Sequence, residues 1–232
     1  MQFVQRRAMA APQSKPLTPR QAERRRRILA SAIALVSRLG YDAVTMRMIA
    51  QDSGTAEKTL YNIFGTKDRL VACAARDRSA EVFALAARRE PRHGWPRLVE
   101  FARAAAEVTL ESPVLSRALA ALLLEHADLV GLHEVYEAEV GGALDAIIAD
   151  GLLDPDVPRE PMVRMIRLAV VATVLFWSRR EIADAELEPC IVRRCAETLL
   201  PFATSAGALV LRIEARNAAL RMIAPEVIVQ DL

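Results

Sequence analysis

The pattern of apolar and polar positions predicts helices along almost the whole chain. Between residues 18 and 40, apolar side chains recur at helical spacing and share one face: Ile28, Ala32, Leu35, Val36 and Leu39. Thr18, Pro19 and Gln21 have the types and spacing of a helix start with a capping box. Gly40 can end this first helix.

Two short helices and a longer one are predicted next. Thr45 is an N-cap candidate for a short helix that Gly54 closes, and residues 55–64 form a second short segment immediately afterwards. Thr66 can cap a longer helix over about 67–89. A long helix followed by two tightly joined short ones is the arrangement of a helix-turn-helix.

The rest of the chain continues the helical pattern. Further helices are predicted at about 96–111, 113–128, 132–150, 160–183, 189–204 and 207–222. Strand signals are nearly absent, since "EVIVQ" (226–230) is short and terminal. The longest apolar stretch, "LAVVATVLFW" (168–177), covers half of a membrane span and therefore predicts a buried helix. The predicted fold class is all-α.

The segment 55–64 has two contrasting sides. Leu60, Ile63 and Phe64 would anchor it against its neighbours, and the other side is polar, with Lys58, Thr59, Tyr61 and Asn62. A helix of about ten residues is not stable alone, so neighbours must hold it. The polar side could read DNA in a major groove, which is about 12 Å wide and accepts one helix. It could equally be the solvated face of a helical hairpin inside a larger bundle.

Charge is distributed unevenly along the chain. Of its 232 residues, 53% are apolar, which is enough for a sizeable core. Residues 1–70 contain 13 Lys+Arg against 5 Asp+Glu, whereas the remainder contains 18 against 24. The basic part could attract nucleic acid or an anionic membrane surface. Within it, residues 1–17 are predicted to be a flexible basic arm, and the arginines 24–27 to be a solvated face or a DNA contact.

Residues 20–70 resemble the DNA-binding domain of the TetR family of transcriptional regulators. The matching residues are Gly40, Thr45, Ile49, Ala50, Gly54, Thr59, Leu60, Tyr61, Phe64, Lys67 and Leu70. The string "TLYNIFGTKDRL" (59–70) looks like the family's pattern, in register. The resemblance implies a three-helix helix-turn-helix domain over 18–70, followed by a helical ligand-binding and dimerisation domain over 71–232. It also implies double-stranded DNA as a partner.

The resemblance assigns roles to individual residues of the helix-turn-helix. The positions that correspond to contacts with the DNA backbone or groove are Thr45, Arg47, Thr59, Tyr61 and Lys67. Lys58 and Asn62 correspond to variable positions that face the bases. Ala56 stands where the family often has a capping serine, so Thr55 is predicted to cap the short helix at 55–64 instead. Thr55 also completes the set of predicted DNA-binding residues.

The second domain is expected to form a homodimer and to bind a small molecule. The family pattern would use the helices at 160–183 and 189–204 as the interface, with apolar candidates Leu168, Val171, Leu175, Ile191, Leu199 and Phe202. Few aromatic residues and no clustered charges favour an apolar or weakly polar ligand. Phe101, Met165 and Trp177 are the candidate wall residues of its cavity.

Other kinds of chemistry find no support in the sequence. The three cysteines form no CxxC pair, which suits a reducing cytoplasm. No catalytic motif is present, so we expect no enzyme and no cofactor. His126 and His133 lie near acidic residues without a metal-binding spacing, so we expect no metal site.

The leading hypothesis is a ligand-responsive, dimeric DNA-binding regulator, most often a repressor in the TetR family. The alternatives are a helical carrier of an apolar molecule that never binds DNA, and a basic peripheral membrane protein.

Overall fold

The structure is a computed structural model that describes residues 18–125 and 132–223, apart from the side chains of 121–125. These ranges contain ten α-helices. In chain order they are α1 (Pro19–Leu39), α2 (Met46–Asp52), α3 (Glu57–Phe64), α4 (Lys67–Arg89), α5 (Trp95–Glu111), α6 (Pro113–Glu125), α7 (Leu132–Ala149), α8 (Arg159–Ser178), α9 (Leu187–Leu199) and α10 (Ser205–Ile223). The described residues contain no strand beyond one isolated bridge between Leu153 and Ala203. The predicted all-α class is confirmed. The predicted basic arm (1–17), "EVIVQ" and His126 lie outside the described residues.

The predicted helix starts in the N-terminal part are confirmed. The Thr18 hydroxyl accepts a hydrogen bond from the Gln21 backbone N–H, and the Gln21 side chain accepts one from the Thr18 N–H. Thr45 and Thr66 cap α2 and α4 in the same way through their hydroxyls. Gly40 ends α1 with a φ of 81°, a conformation that favours glycine.

Two predicted helix ends were wrong, for local reasons. α8 stops at Ser178 rather than near 183, because Arg180 adopts a left-handed conformation with a φ of 65°. The Glu181 N–H then bonds to the Phe176 carbonyl at 2.9 Å, which closes the helix without the usual glycine. α9 stops at Leu199 and continues only as the 3₁₀ turn Leu200–Phe202, since Pro201 lacks the N–H that the helix would need.

α4 is central to the packing. One part of it packs against α1 and α3, and the rest packs against α5, α6 and α7. Near its C-terminal end, the Phe83 ring stacks on Phe101 at a centroid distance of 4.3 Å, and Tyr136 of α7 meets both rings edge-on. α1 also packs directly against α6. The helix-turn-helix and the helices that follow it are therefore joined by α4 and by a second contact through α1.

α8 has two apolar sides. Among the described helices it alone is long and apolar enough to cross a membrane, by length and composition. Ile166 and Trp177 lie in the core, but Leu168, at the start of the stretch predicted to be buried, is 52% exposed on the other side. On α9, the predicted interface residues Ile191 and Leu199 are fully buried, because this helix packs against α5, α8 and α10. They are not available to a partner, so that part of the interface prediction was wrong.

Candidate nucleic-acid interface and ligand cavity

α3 is held to the domain by two side chains one turn apart. Leu60 is fully buried and Phe64 is almost so, and the helix packs against α2 and α4. Ile63 was predicted to join them but is 45% exposed. The apolar face of α3 is narrow, and Ile63 lies at its edge. The prediction that Thr55 caps α3 was also wrong. Ala56 is the N-cap residue and offers no side-chain bond, while the Thr55 hydroxyl donates to the Ser53 carbonyl at 3.4 Å.

The opposite side of α3 presents polar side chains to solvent. Lys58, Tyr61 and Asn62 are exposed, and Thr59 is half-buried beside them. Within the described ranges, none of these four side chains makes a hydrogen bond or an ion pair. Lys58 and Asn62 are one helical turn apart and therefore point the same way. This side of α3, Lys58 to Asn62, is called the reading face below.

The neighbouring helix starts place further polar groups around the reading face. Arg47 in the first turn of α2 is exposed and has no partner in the described part of the chain. Thr45 is exposed but its hydroxyl already accepts from the Met48 N–H at 3.2 Å. Lys67 is half-buried, with its ammonium 3.1 Å from the Tyr41 carbonyl and 4.1 Å from the centre of the Tyr41 ring. Lys67 thus fastens the turn after α1 to α4, a contact that the sequence did not indicate.

Two of the arginines 24–27 make side-chain contacts with other elements of the protein. Arg27 donates from Nε to the Ser53 carbonyl at 2.8 Å and so holds the turn between α2 and α3. Arg25 pairs with Asp77 of α4 at 3.1 Å and lies over the Phe64 ring at 5.8 Å. Arg25 and Arg27 therefore make contacts that the sequence did not indicate, with partners that are distant in sequence, although Arg27 is still exposed.

A cavity lies within the helices that follow the helix-turn-helix. It has a volume of about 100 Å³, and its walls come from α4, α5, α6, α7 and α8. Phe101 lines it, as predicted. Met165 does not, because it is exposed on the outer side of α8. Trp177 does not either: it is buried at 1% exposure, donates to Asp184 at 2.8 Å and stacks with Arg117.

Several polar side chains of this cavity were missed by sequence reasoning. Thr109, Ser116 and Tyr136 line it, and each is more than nine-tenths buried. Burial raises the pKa of the Tyr136 phenol well above its usual value, so this group stays neutral. Arg78 of α4 also lines the cavity and donates from Nη2 to the Val108 carbonyl at 2.7 Å. The only signal in the sequence was that hydroxyl residues occupy otherwise apolar faces of α5 and α6.

The described residues contain no group of three or more His, Cys, Asp or Glu side chains that could hold a metal ion. His133 is exposed on α7. The three cysteines form no disulfide, and burial raises the pKa of Cys195 to about 12, so its thiol is unreactive at neutral pH.

Comparison with known proteins supports this arrangement. Residues 28–73 match the family model for bacterial regulatory proteins of the tetR family. The HTH-type transcriptional repressor KstR of Mycolicibacterium smegmatis is 28% identical over 171 residues, which cover 72% of this chain and 82% of that protein. Among solved structures, a TetR transcriptional regulator from Rhodococcus sp. RHA1 superposes with a TM-score of 0.65 and 21% identity, over 78% of this chain and 98% of its own. Thermus thermophilus FadR, a TetR-family repressor in complex with lauroyl-CoA, gives a TM-score of 0.56 and 17% identity, over 88% and 95%. These two structures share the fold.

Proposed function

We propose, from the premise that this chain is a TetR-family transcriptional regulator, that it represses transcription as a homodimer on a palindromic operator and is controlled by a small molecule. The observation that carries the proposal is the reading face. A short helix held by Leu60 and Phe64 presents Lys58, Tyr61 and Asn62 to solvent without any partner among the described residues. Side chains of this kind, left unpaired on a positioned helix, are suited to read DNA.

The geometry suggests which side chains would contact bases and which would contact phosphates. With α3 in the major groove, Lys58 and Asn62 would meet base edges, since an ammonium donates to guanine and an amide pairs with adenine. Thr59 and Tyr61 hydroxyls would reach phosphates on either side. Arg47 at the start of α2 would neutralise a further phosphate. Lys67 would add its charge near the DNA backbone while it remains bonded to Tyr41.

A dimer follows from the length of the reading helix. α3 has 8 residues and spans too few base pairs for genomic specificity, whereas a two-fold dimer doubles the site and requires a palindrome. The outer side of α8 suits such an interface. Met165, Leu168 and Phe176 lie there at 48%, 52% and 42% exposure. We call these three residues the α8 patch.

The cavity supports control by a ligand. α4 runs from the helix-turn-helix into the cavity wall, so a ligand could tilt it and change the separation of the two reading helices. A ligand shifts this equilibrium only by its preference for one state, and a hundredfold preference corresponds to about 2.7 kcal/mol per site. The named relatives fit this scheme: KstR is a repressor, and FadR was crystallised with an acyl-CoA.

Genomic DNA selection tests the proposal. The purified full-length protein should enrich a small set of fragments from its own genome, each with a palindrome whose half-sites are about one helical turn apart. The cavity alone would also suit a carrier of an apolar molecule in the cytoplasm, without any DNA. Enrichment of no fragment above random DNA would sink the regulator proposal and favour that carrier.

A further inference from the structure

The cavity has polar groups that an apolar ligand would leave unpaired. Thr109, Ser116 and Tyr136 are 8%, 7% and 5% exposed, and all three line it. Within the described part of the chain, their hydroxyls make no hydrogen bond. Because these hydroxyls line the cavity, they are available to a ligand there, and a ligand with hydrogen-bonding groups pairs them where an apolar one does not.

Arg78 gives the cavity a positive charge that no carboxylate among the described residues pairs with. Its guanidinium is always charged, and its partner is a neutral carbonyl, that of Val108 in the last turn of α5. Among the described residues Arg78 forms no ion pair, whereas other arginines of α4, such as Arg76 and Arg89, pair with glutamates. A guanidinium has five N–H donors, so most of those of Arg78 remain available.

We infer that the cavity binds an apolar molecule with a carboxylate, and that Arg78 binds this carboxylate with help from the Thr109 and Ser116 hydroxyls. The inference rests on the proposed ligand control and replaces the expectation of a purely apolar or weakly polar effector. Thr109 follows Val108, and Ser116 lies one turn into α6, so both flank the α5–α6 corner that Arg78 reaches. A carboxylate binds a guanidinium more strongly than a carbonyl does, because the bond is charge-assisted and can be bidentate.

The position of Arg78 also links the cavity to the reading helix. Arg78 lines a second groove, between α1 and α4, together with Arg25 and Asp77. Asp77 pairs with Arg25, and Arg25 lies over the Phe64 ring at the end of α3. A carboxylate that reorients Arg78 thus acts on α4 beside the contact that holds the reading helix.

Calorimetric titration of the full-length protein with octanoate, decanoate and dodecanoate, and with the matching alcohols, tests the inference. The carboxylates should bind about tenfold or more tightly than their alcohols, because one charge-assisted interaction separates them. R78Q should abolish this preference, and R78K should keep part of it. The matched control is R76Q, since Arg76 is exposed and pairs with Glu134 outside the cavity; it should keep the full preference.

Three results would overturn the inference: no binding of any carboxylate, equal binding of acids and alcohols, or an unchanged preference in R78Q with native circular dichroism. A parallel DNA titration separates this inference from the proposed function. If DNA binding persists without an acid preference, only the carboxylate-site inference is refuted. If the protein shows an Arg78-dependent acid preference but selects no DNA, the carboxylate site is supported and the proposed regulatory function is refuted.

Discussion

Replacing Leu168 with glutamate should separate the proposed dimer without unfolding the protomer. Leu168 is 52% exposed in the single chain, in the middle of the α8 patch. A carboxylate at this position stays hydrated in the monomer, so L168E should change its stability by no more than about 0.5 kcal/mol. In the proposed dimer the same carboxylate would be buried against apolar surface, and its symmetry copy with it.

The size of the effect follows from the exposed fraction. Burying a whole leucine side chain contributes about 1.5–3 kcal/mol, so the exposed half of Leu168 accounts for about 1 kcal/mol. Two-fold symmetry applies the loss twice, which gives about 2 kcal/mol and raises the dimer dissociation constant about thirtyfold. This is a lower bound, because desolvating two carboxylates adds to it.

Sedimentation velocity over a range of concentrations measures that constant directly, and circular dichroism reports the fold. V114E is the matched control: Val114 is 50% exposed on α6 and is not part of the α8 patch, so this variant should stay dimeric. L199E should instead unfold, because Leu199 is fully buried. A natively folded L168E that dimerises as tightly as the wild type would refute the α8 interface.

Three further predictions concern the helix-turn-helix and the end of α4. L60A should destabilise the protein by about 2–5 kcal/mol, since it removes a fully buried side chain, and chemical denaturation would show whether it does. K67A should weaken binding to all DNA sequences and reduce the slope of log affinity against log salt by about one, as measured by anisotropy; an unchanged slope would mean that the Tyr41 contact is the only role of Lys67. Hydrogen bonds from Arg92 lower the pKa of Glu90 from 4.5 to about 2, so the stability this carboxylate contributes is present above pH 4.5 and lost as the pH falls towards 2. The melting temperatures of the wild type and E90Q should therefore converge over that interval, and a constant difference would contradict the assignment.

Local rules predicted most of the N-terminal architecture. The caps at Thr18, Thr45 and Thr66 depend on residues within one turn, so the sequence contains all the information that they require. The burial of Leu60 and Phe64 follows from helical spacing in the same way. The sequence did not predict the end of α8, because Arg180, and not a glycine, takes the left-handed conformation there.

Contacts between distant elements were not predictable. Arg25 and Asp77 are separated by most of α1 and the whole helix-turn-helix, and no local pattern relates them. Trp177 and Met165 looked equivalent as wall candidates, yet one is buried in the core and the other exposed, because α8 has two apolar sides with different surroundings. The polar groups of the cavity escaped notice for the same reason: Arg78 and Thr109 come together only through the packing of α4 on α5.

The most direct test of the central claim, that the reading face selects DNA, is an anisotropy titration of N62A against a genomic fragment enriched by the protein. N62A should lose about 1–3 kcal/mol on that fragment and little on a permuted fragment of the same composition, because Asn62 is proposed to contact bases rather than phosphates. The same change in the C-terminal helix, N217A, removes an exposed asparagine far along the chain and should leave both affinities unchanged. Equal losses on the two fragments, or no loss on either, would contradict the account.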